Sequence, residues 1–362
     1  MSVQIDSLEK LLLKQANEKK IPINGSLELL PICNMHCKMC YVWQSKKYVE
    51  ENRGLLSVEE WIKIAHEMQK SGVVFVLLTG GEPLLYPGFK KLYVELQRLG
   101  MVLTVNTNGT LIDEEWADFF AKHRPRRINI TVYGASQETY STLCGYANGY
   151  EQTLHGIQLL KDRKLDVKIN GSVVRENEHE ILEIYKLGEK WDIPVHMDTY
   201  MIPRVYNDKK MLSEKQESRL TPEDAAFAEY LCMKQEQTTD SFNQYKEKKL
   251  QELSEKKSYP NGFACMATNC SFSIDWKGNI RPCVSKAEPS ISVLNNGFDH
   301  AWKQLRNESK IMMLNEKCQN CDLRPVCKVC VATSLLETKK DYVPEYLCRY
   351  AKKMEELLQN EE

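Results

Sequence analysis

The chain has 362 residues, with 49 Lys and Arg against 50 Asp and Glu and a formal net charge of −1. That length holds one large domain and a smaller one, while the balanced charge excludes the basic footprint of a nucleic-acid binder; short runs such as Lys246 to Lys249 read as solvated helix faces. No apolar run reaches bilayer-spanning length, and Leu11 to Leu13 is flanked by Glu9, Lys10 and Lys14, so neither a membrane span nor a signal-peptide core is expected and the protein should be cytoplasmic.

Residues 1–26 read as a helical extension. Apolar runs of strand length then recur at Leu27–Leu30, Val73–Leu78, Val102–Val105, Arg127–Val132, Val167–Val173 and Pro194–Tyr200. The segments between them have helical period. Ser57 and Glu60 form a capping box ahead of Trp61, Ile64, Ala65 and Met68 on one face, and Asn177 with Glu180 has the look of a second cap. Strands alternating with helices imply an α/β fold with parallel pairing through right-handed crossovers over residues 27–219. Residues 220–262 read as a charged, solvated helical bridge, and 263–362 as a cysteine-rich domain.

Thirteen cysteines without a secretion signal argue for metal ligation rather than disulfides. Cys33, Cys37 and Cys40 lie on the loop leaving the first strand, where barrel enzymes place their chemistry. Three thiolates hold three irons of a [4Fe–4S] cube and leave the fourth open to a small molecule; the competing reading is part of a structural zinc site. Thr79-Gly80-Gly81-Glu82-Pro83 follows the second strand, with glycines that allow close backbone approach and a carboxylate that can accept from an amine.

The C-x3-C-x2-C spacing, the aromatic Tyr41 and the Gly-Gly-Glu-Pro segment together resemble the radical S-adenosylmethionine (SAM) enzymes. The resemblance implies a partial (β/α)6 TIM-type barrel, a cluster on Cys33, Cys37 and Cys40, and SAM chelated at its open iron. It further implies SAM contacts at Met39, Gly80, Gly81, Glu82, Asn106, Thr131 and Met201, with Glu82 accepting from the amino group of SAM, Thr131 standing where relatives carry a serine, and Met201 near the adenine.

Beyond the bridge come Cys265, Cys270, Cys283, Cys318, Cys321, Cys327, Cys330 and Cys348. Asp275 to Cys283 reads as a hairpin turning at Gly278. The whole resembles the SPASM extension of radical SAM enzymes, although its C-x2-C-x5-C-x2-C run is one residue short in the last gap. Eight thiolates suffice for two further [4Fe–4S] clusters, three in all; two zinc sites are the alternative. By resemblance to the anaerobic sulfatase-maturating enzymes, Cys265, Cys270, Cys283 and Cys330 would hold one cluster, and Cys318, Cys321, Cys327 and Cys348 the other. The remaining Cys144 and Cys232 read as small buried apolar residues, with Cys144 in a segment that could border the active site.

The activity implied is reductive cleavage of SAM to a 5′-deoxyadenosyl radical and oxidative modification of a ribosomally made peptide as a crosslink, thioether or oxidised side chain. A flavodoxin or ferredoxin would donate electrons. The alternative is a dehydrogenase or cofactor-pathway enzyme acting on a small molecule; a structural metal protein ranks third. About 26 residues before the first strand are too few for a winged precursor-recognition domain, so a separate recognition protein is expected to serve a peptide substrate. Val284 stands where sulfatase-maturating enzymes carry a catalytic aspartate, which disfavours that particular chemistry.

Overall fold

The computed structural model describes residues 2–202, 217–255, 259–339 and 341–360. Helix α1 (Ser2–Lys19) leads into β1 (Asn24–Glu28), and the chain then alternates through α2 (Lys46–Glu51), α3 (Val58–Lys70), β2 (Phe75–Thr79), α4 (Phe89–Arg98), β3 (Val102–Thr107), α5 (Glu114–Lys122) and β4 (Arg127–Thr131). It continues with α6 (Gln137–Cys144), α7 (Gly149–Asp162), β5 (Val167–Ser172), α8 (Ile181–Trp191) and β6 (Val195–Asp198). β1 to β6 pair in parallel in chain order. This is a partial (β/α)6 barrel, open because β6 lies at one end of the sheet and does not return to β1.

Each expected strand is present, with its ends moved by specific contacts. β1 starts at Asn24, ahead of the apolar run, because Gly25 faces the ring of Phe272: a Cβ there would lie 2.4 Å from that ring. Leu29 and Leu30 are buried but belong to the loop under the next strand's end. The capping box of α3 forms as expected, and Trp61, Ile64, Ala65 and Met68 are its buried face. The second expected cap does not form. Asn177 is fully buried and instead joins two strand ends, donating to the carbonyls of Tyr133 and Ser172 and accepting the Val174 N–H.

The cysteine-rich segment continues the barrel sheet. β7 (Ser271–Ile274) adds in parallel to β1, and β8 (Asn279–Arg281) and β9 (Ile291–Ser292) follow antiparallel. The expected hairpin forms. Asp275 Oδ1 accepts from the N–H groups of Lys277 and Asn279, and Gly278 takes φ +80°, a value that favours glycine. At the root of the hairpin, Arg281 reaches the carboxylate of Glu28 across the sheet, both side chains about 2% exposed, with Asp275 Oδ2 at 4.0 Å from Arg281 Nε.

The bridge differs from the solvated helix expected. Its first helix, Pro222–Glu236, buries Ala225, Ala226, Ala228, Tyr230 and Cys232, and packs on the C-terminal helix Glu345–Gln359 and on β6. Short alanines on one side let the two helices approach closely, a face hidden in sequence by the charged residues around it. Glu236 accepts the Met197 N–H at 3.0 Å and the Tyr185 hydroxyl at 2.8 Å, so this helix also covers the free edge of β6. The second helix, Thr239–Ser254, buries Phe242 and is otherwise largely solvated. Among the described residues no helix is long and apolar enough to cross a membrane.

Candidate active site

The loop after β1 is held from both sides by backbone hydrogen bonds. Gly81 N–H donates to Leu30 O at 2.6 Å and Glu82 N–H to Ile32 O at 2.9 Å, while His36 N–H reaches Cys144 O at 2.8 Å and Lys38 N–H reaches Leu143 O at 3.0 Å. The loop thus runs between the end of β2 and the end of α6. The two glycines are required by this packing: a Cβ on Gly80, which has φ +146°, would lie 2.3 Å from Leu30 O, and one on Gly81 would lie 2.3 Å from Ile32 O. Cys33, Cys37 and Cys40 all reach the wall of one cavity of about 330 Å³ at the C-terminal ends of the strands.

Met39, Gly80, Gly81, Asn106, Thr131 and Met201 line the same cavity. Glu82 does not. It is fully buried behind the wall, where Oε1 accepts from Leu84 N–H at 3.0 Å and the Thr107 hydroxyl at 2.9 Å, and Oε2 from Asn108 N–H at 2.8 Å. Burial pushes its carboxyl up to about 7, against those donors. The direct approach to a ligand amine expected of Glu82 is therefore replaced by an inward one: three of roughly four acceptor sites on the carboxylate already fix the ends of β2 and β3.

Asn108, rather than Asn106, addresses the cysteine loop. Its Nδ2 donates to Asn34 Oδ1 at 2.9 Å and lies 3.6 Å from Cys33 Sγ, while Asn106 accepts from Asn129 at 2.7 Å. Burial raises the Cys33 thiol; a hydrogen bond with Cys144, then burial, raises that of Cys37. Three polar wall residues went unnoticed in the sequence: Ser172, Asp198 and Ser285. Ser172 and Asp198 end β5 and β6, so the rule that barrel strands place function at their C-termini would have found both. Asp198 is exposed, yet its dense surroundings raise its pKa, with Lys328 opposing.

The cysteines after the bridge sort into two sets by the fields that they exert on one another. Burial pushes Cys283 up to about 11, with Cys330 and Cys265 adding to it, and Cys265 acts likewise on the buried Cys270. Burial pushes Cys327 up to about 12, with Cys348, Cys321 and Cys318 adding, and Cys348 and Cys321 act on Cys318. Cys330 caps the helix Val331–Glu337, its sulfur accepting from Thr333 N–H. Val284 and Ser285, just past Cys283, line the barrel cavity, so the first set adjoins it. Among the described residues no three His, Cys, Asp or Glu side chains stand close enough to hold a single metal ion. Cys232 and Cys144 are both buried as expected, Cys144 against the loop that carries Cys33, Cys37 and Cys40.

Residues 27–188 match the model of the Radical SAM superfamily. The AdoMet-dependent heme synthase of Nitratidesulfovibrio vulgaris is 23% identical over 89% of this chain and 91% of its own length. The sporulation killing factor maturation protein SkfB of Bacillus subtilis is 29% identical over 45% of this chain but only 39% of its own length. Streptococcus suis SuiB, solved bound to its precursor peptide SuiA, superposes with a TM-score of 0.64 at 17% identity, covering 95% of this chain and 80% of that one, and so shares the fold. The thiol-bearing loop at the mouth of the open six-unit barrel lies within this radical SAM domain, residues 27–188.

Proposed function

We propose that this chain is a radical SAM enzyme of the SPASM type that oxidatively modifies a ribosomally made peptide. The observation that carries it is the shared cavity: three thiols of the β1 loop stand on its wall with Val284 and Ser285, which adjoin the Cys265, Cys270, Cys283 and Cys330 set. Three thiols supported by one loop suit a [4Fe–4S] cluster with an open iron, and eight in two sets suit two complete clusters.

With cluster and SAM bound, the chemistry supplied is one-electron cleavage of SAM and abstraction of a substrate hydrogen by the 5′-deoxyadenosyl radical. The chain's own groups do the rest. Gly80, Gly81, Asn106 and Thr131 offer backbone and short polar groups to SAM, with Met39 and Met201 as apolar wall. Asp198 is the carboxylate on the described wall, placed to take a proton from a substrate that has lost a hydrogen atom and an electron.

A small-molecule reading stands beside this one, because the heme synthase relative matches over nearly its whole length. The neighbour SuiB, solved with its precursor peptide SuiA bound, has the same fold and supports the peptide reading. The test is anaerobic incubation of the reconstituted enzyme with SAM, dithionite and either a short peptide encoded beside its gene or an iron porphyrin, followed by mass spectrometry. A modified peptide supports the proposal; turnover of the porphyrin alone overturns it. Replacing Cys318 and Cys321 by Ala should leave SAM cleavage intact and abolish the modified product.

A further inference from the structure

The loop after β1 and the end of β3 meet through three short polar side chains that belong to neither the expected ligands nor the expected SAM contacts: Asn34, Asn108 and Thr110. Asn108 is 4% exposed, and its backbone is fixed on both sides, its N–H donating to Glu82 Oε2 at 2.8 Å and its carbonyl accepting from the Thr153 hydroxyl at 3.1 Å. Its side chain belongs to a closed ring of hydrogen bonds. Asn108 Nδ2 donates to Asn34 Oδ1 at 2.9 Å, Asn34 Nδ2 donates to Thr110 Oγ1 at 2.9 Å, and the Thr110 hydroxyl donates to Asn108 Oδ1 at 2.7 Å. Each link of such a ring strengthens the next.

The ring settles which way the Asn108 amide points. Thr110 N–H also donates to Asn108 Oδ1, at 3.0 Å, and a backbone N–H can only donate, so this oxygen faces Thr110 and the NH2 group faces the cysteine loop. One of its two hydrogens goes to Asn34 Oδ1, and the other is directed at Cys33 Sγ, 3.6 Å from Nδ2. The same sulfur accepts from Met35 N–H at 3.4 Å, and Cys40 Sγ accepts from Trp43 N–H at 3.3 Å. Three thiols on the wall of one cavity, with N–H donors on their sulfurs, fit thiolate ligands of a cluster, and hydrogen bonds to ligand sulfurs withdraw charge and favour its reduced state. The Met35 donor comes with the backbone of the loop. The Asn108 donor comes from the end of another strand and is aimed by side chains.

We propose that Asn108, held by the ring with Asn34 and Thr110, is a positioning residue that donates to the Cys33 sulfur and raises the reduction potential of the cluster held by the β1 loop. The proposal rests on the assignment of Cys33, Cys37 and Cys40 as ligands. Its test is a potentiometric titration of the reconstituted protein followed by EPR, reading the cluster whose signal changes when SAM is added, beside iron analysis. Asn108→Ala removes the donor, and Asn108→Asp keeps an acceptor for Thr110 but puts oxygen in place of the NH2 group. Thr110→Val opens the ring at two links, and Thr110→Ser keeps its hydroxyl.

The expected result is a more negative potential in Asn108→Ala, more negative again in Asn108→Asp, where a charge is added, and a smaller shift of the same sign in Thr110→Val. Thr110→Ser should stay near the parent, and iron content should not change. An unchanged potential in Asn108→Ala that retains its iron overturns the proposal. If Asn108→Ala loses iron, Asn108→Asp decides in the same way, since it keeps the bonds from Thr110. A parent protein with no SAM-responsive signal overturns the ligand assignment and the proposal with it, whereas an unchanged potential beside a responsive parent signal overturns the proposal alone.

Discussion

The cysteines of the barrel and those of the C-terminal region reach their places by opposite routes. Cys33, Cys37 and Cys40 lie within eight residues of one another, and their loop is held by backbone bonds to Leu30, Ile32, Leu143 and Cys144. The C-terminal cysteines are spread from Cys265 to Cys348 and gathered by short elements: a hairpin, a four-residue helix at Glu316–Gln319, and the cap of Val331–Glu337. The first site is a property of a local segment on a large parallel sheet. The second depends on long-range pairing, and its anchor is the extension of the barrel sheet through β7.

The largest effect expected to separate the two regions is loss of the loop cysteines. Replacing Cys33, Cys37 and Cys40 together by Ala should abolish SAM cleavage while iron falls from about twelve to about eight per chain. The barrel sheet and the hairpin hold the remaining cysteines independently of that loop. Iron analysis beside an assay of 5′-deoxyadenosine checks both halves, and a loss of all iron would show that the C-terminal sites need the barrel cluster to form.

Next in size is the joint between the regions. Arg281 and Glu28 are paired in the interior, where burial raises the Glu28 carboxyl and Arg281 opposes the rise. Removing one partner strands a buried charge, so Arg281→Leu should lower unfolding stability by about 3–5 kcal/mol, and adding Glu28→Leu should restore much of it. Chemical denaturation measures both. Equal stability of the parent and Arg281→Leu would mean that sheet pairing alone joins the two parts.

The barrel was legible in the sequence for a physical reason: every second side chain of a strand is buried and apolar, as in β2 to β5, and local ligand spacing survives without tertiary knowledge. The strand at Asn24–Glu28 hid its start because Asn, Gly and Ser do not look like a buried strand, and only the Phe272 ring explains Gly25. Nothing local shows that β7 pairs with β1, or that the alanines of Pro222–Glu236 face another helix. Glu82 was read outward because its motif suggested a ligand; its burial depends on donors from Leu84, Thr107 and Asn108, the last two a strand away.

That inward role of Glu82 gives a smaller effect confined to the barrel. In Glu82→Gln the amide keeps one acceptor oxygen but turns its NH2 toward N–H or O–H donors, leaving a buried donor unsatisfied at about 1–3 kcal/mol. Stability of the cluster-free protein should fall by that amount. If stability is unchanged while SAM affinity drops, the carboxylate serves the ligand rather than the joint between β2 and β3.

The smallest expected effect lies where the C-terminal part covers the open edge of the barrel. His196 on β6 approaches both oxygens of Glu236, at 3.1 and 2.9 Å, and the hydrogen bond to Glu236 raises its pKa above 6.5, while hydrogen bonding to His196 helps to lower that of Glu236. A raised histidine pKa means that the folded state holds the proton more tightly than the unfolded chain. The stabilisation is therefore complete below the unfolded value and disappears as pH rises through the higher folded one. The His196 side chain is 53% exposed, so salt screens the pair and its contribution is small. His196→Ala should lower Tm more at pH 6 than at pH 9, and added salt should narrow the difference. Glu236 keeps its bonds to Met197 N–H and the Tyr185 hydroxyl in either case. An equal loss of Tm at both pH values would mean that the imidazole acts there through packing, and that the seal on β6 rests on Glu236 alone.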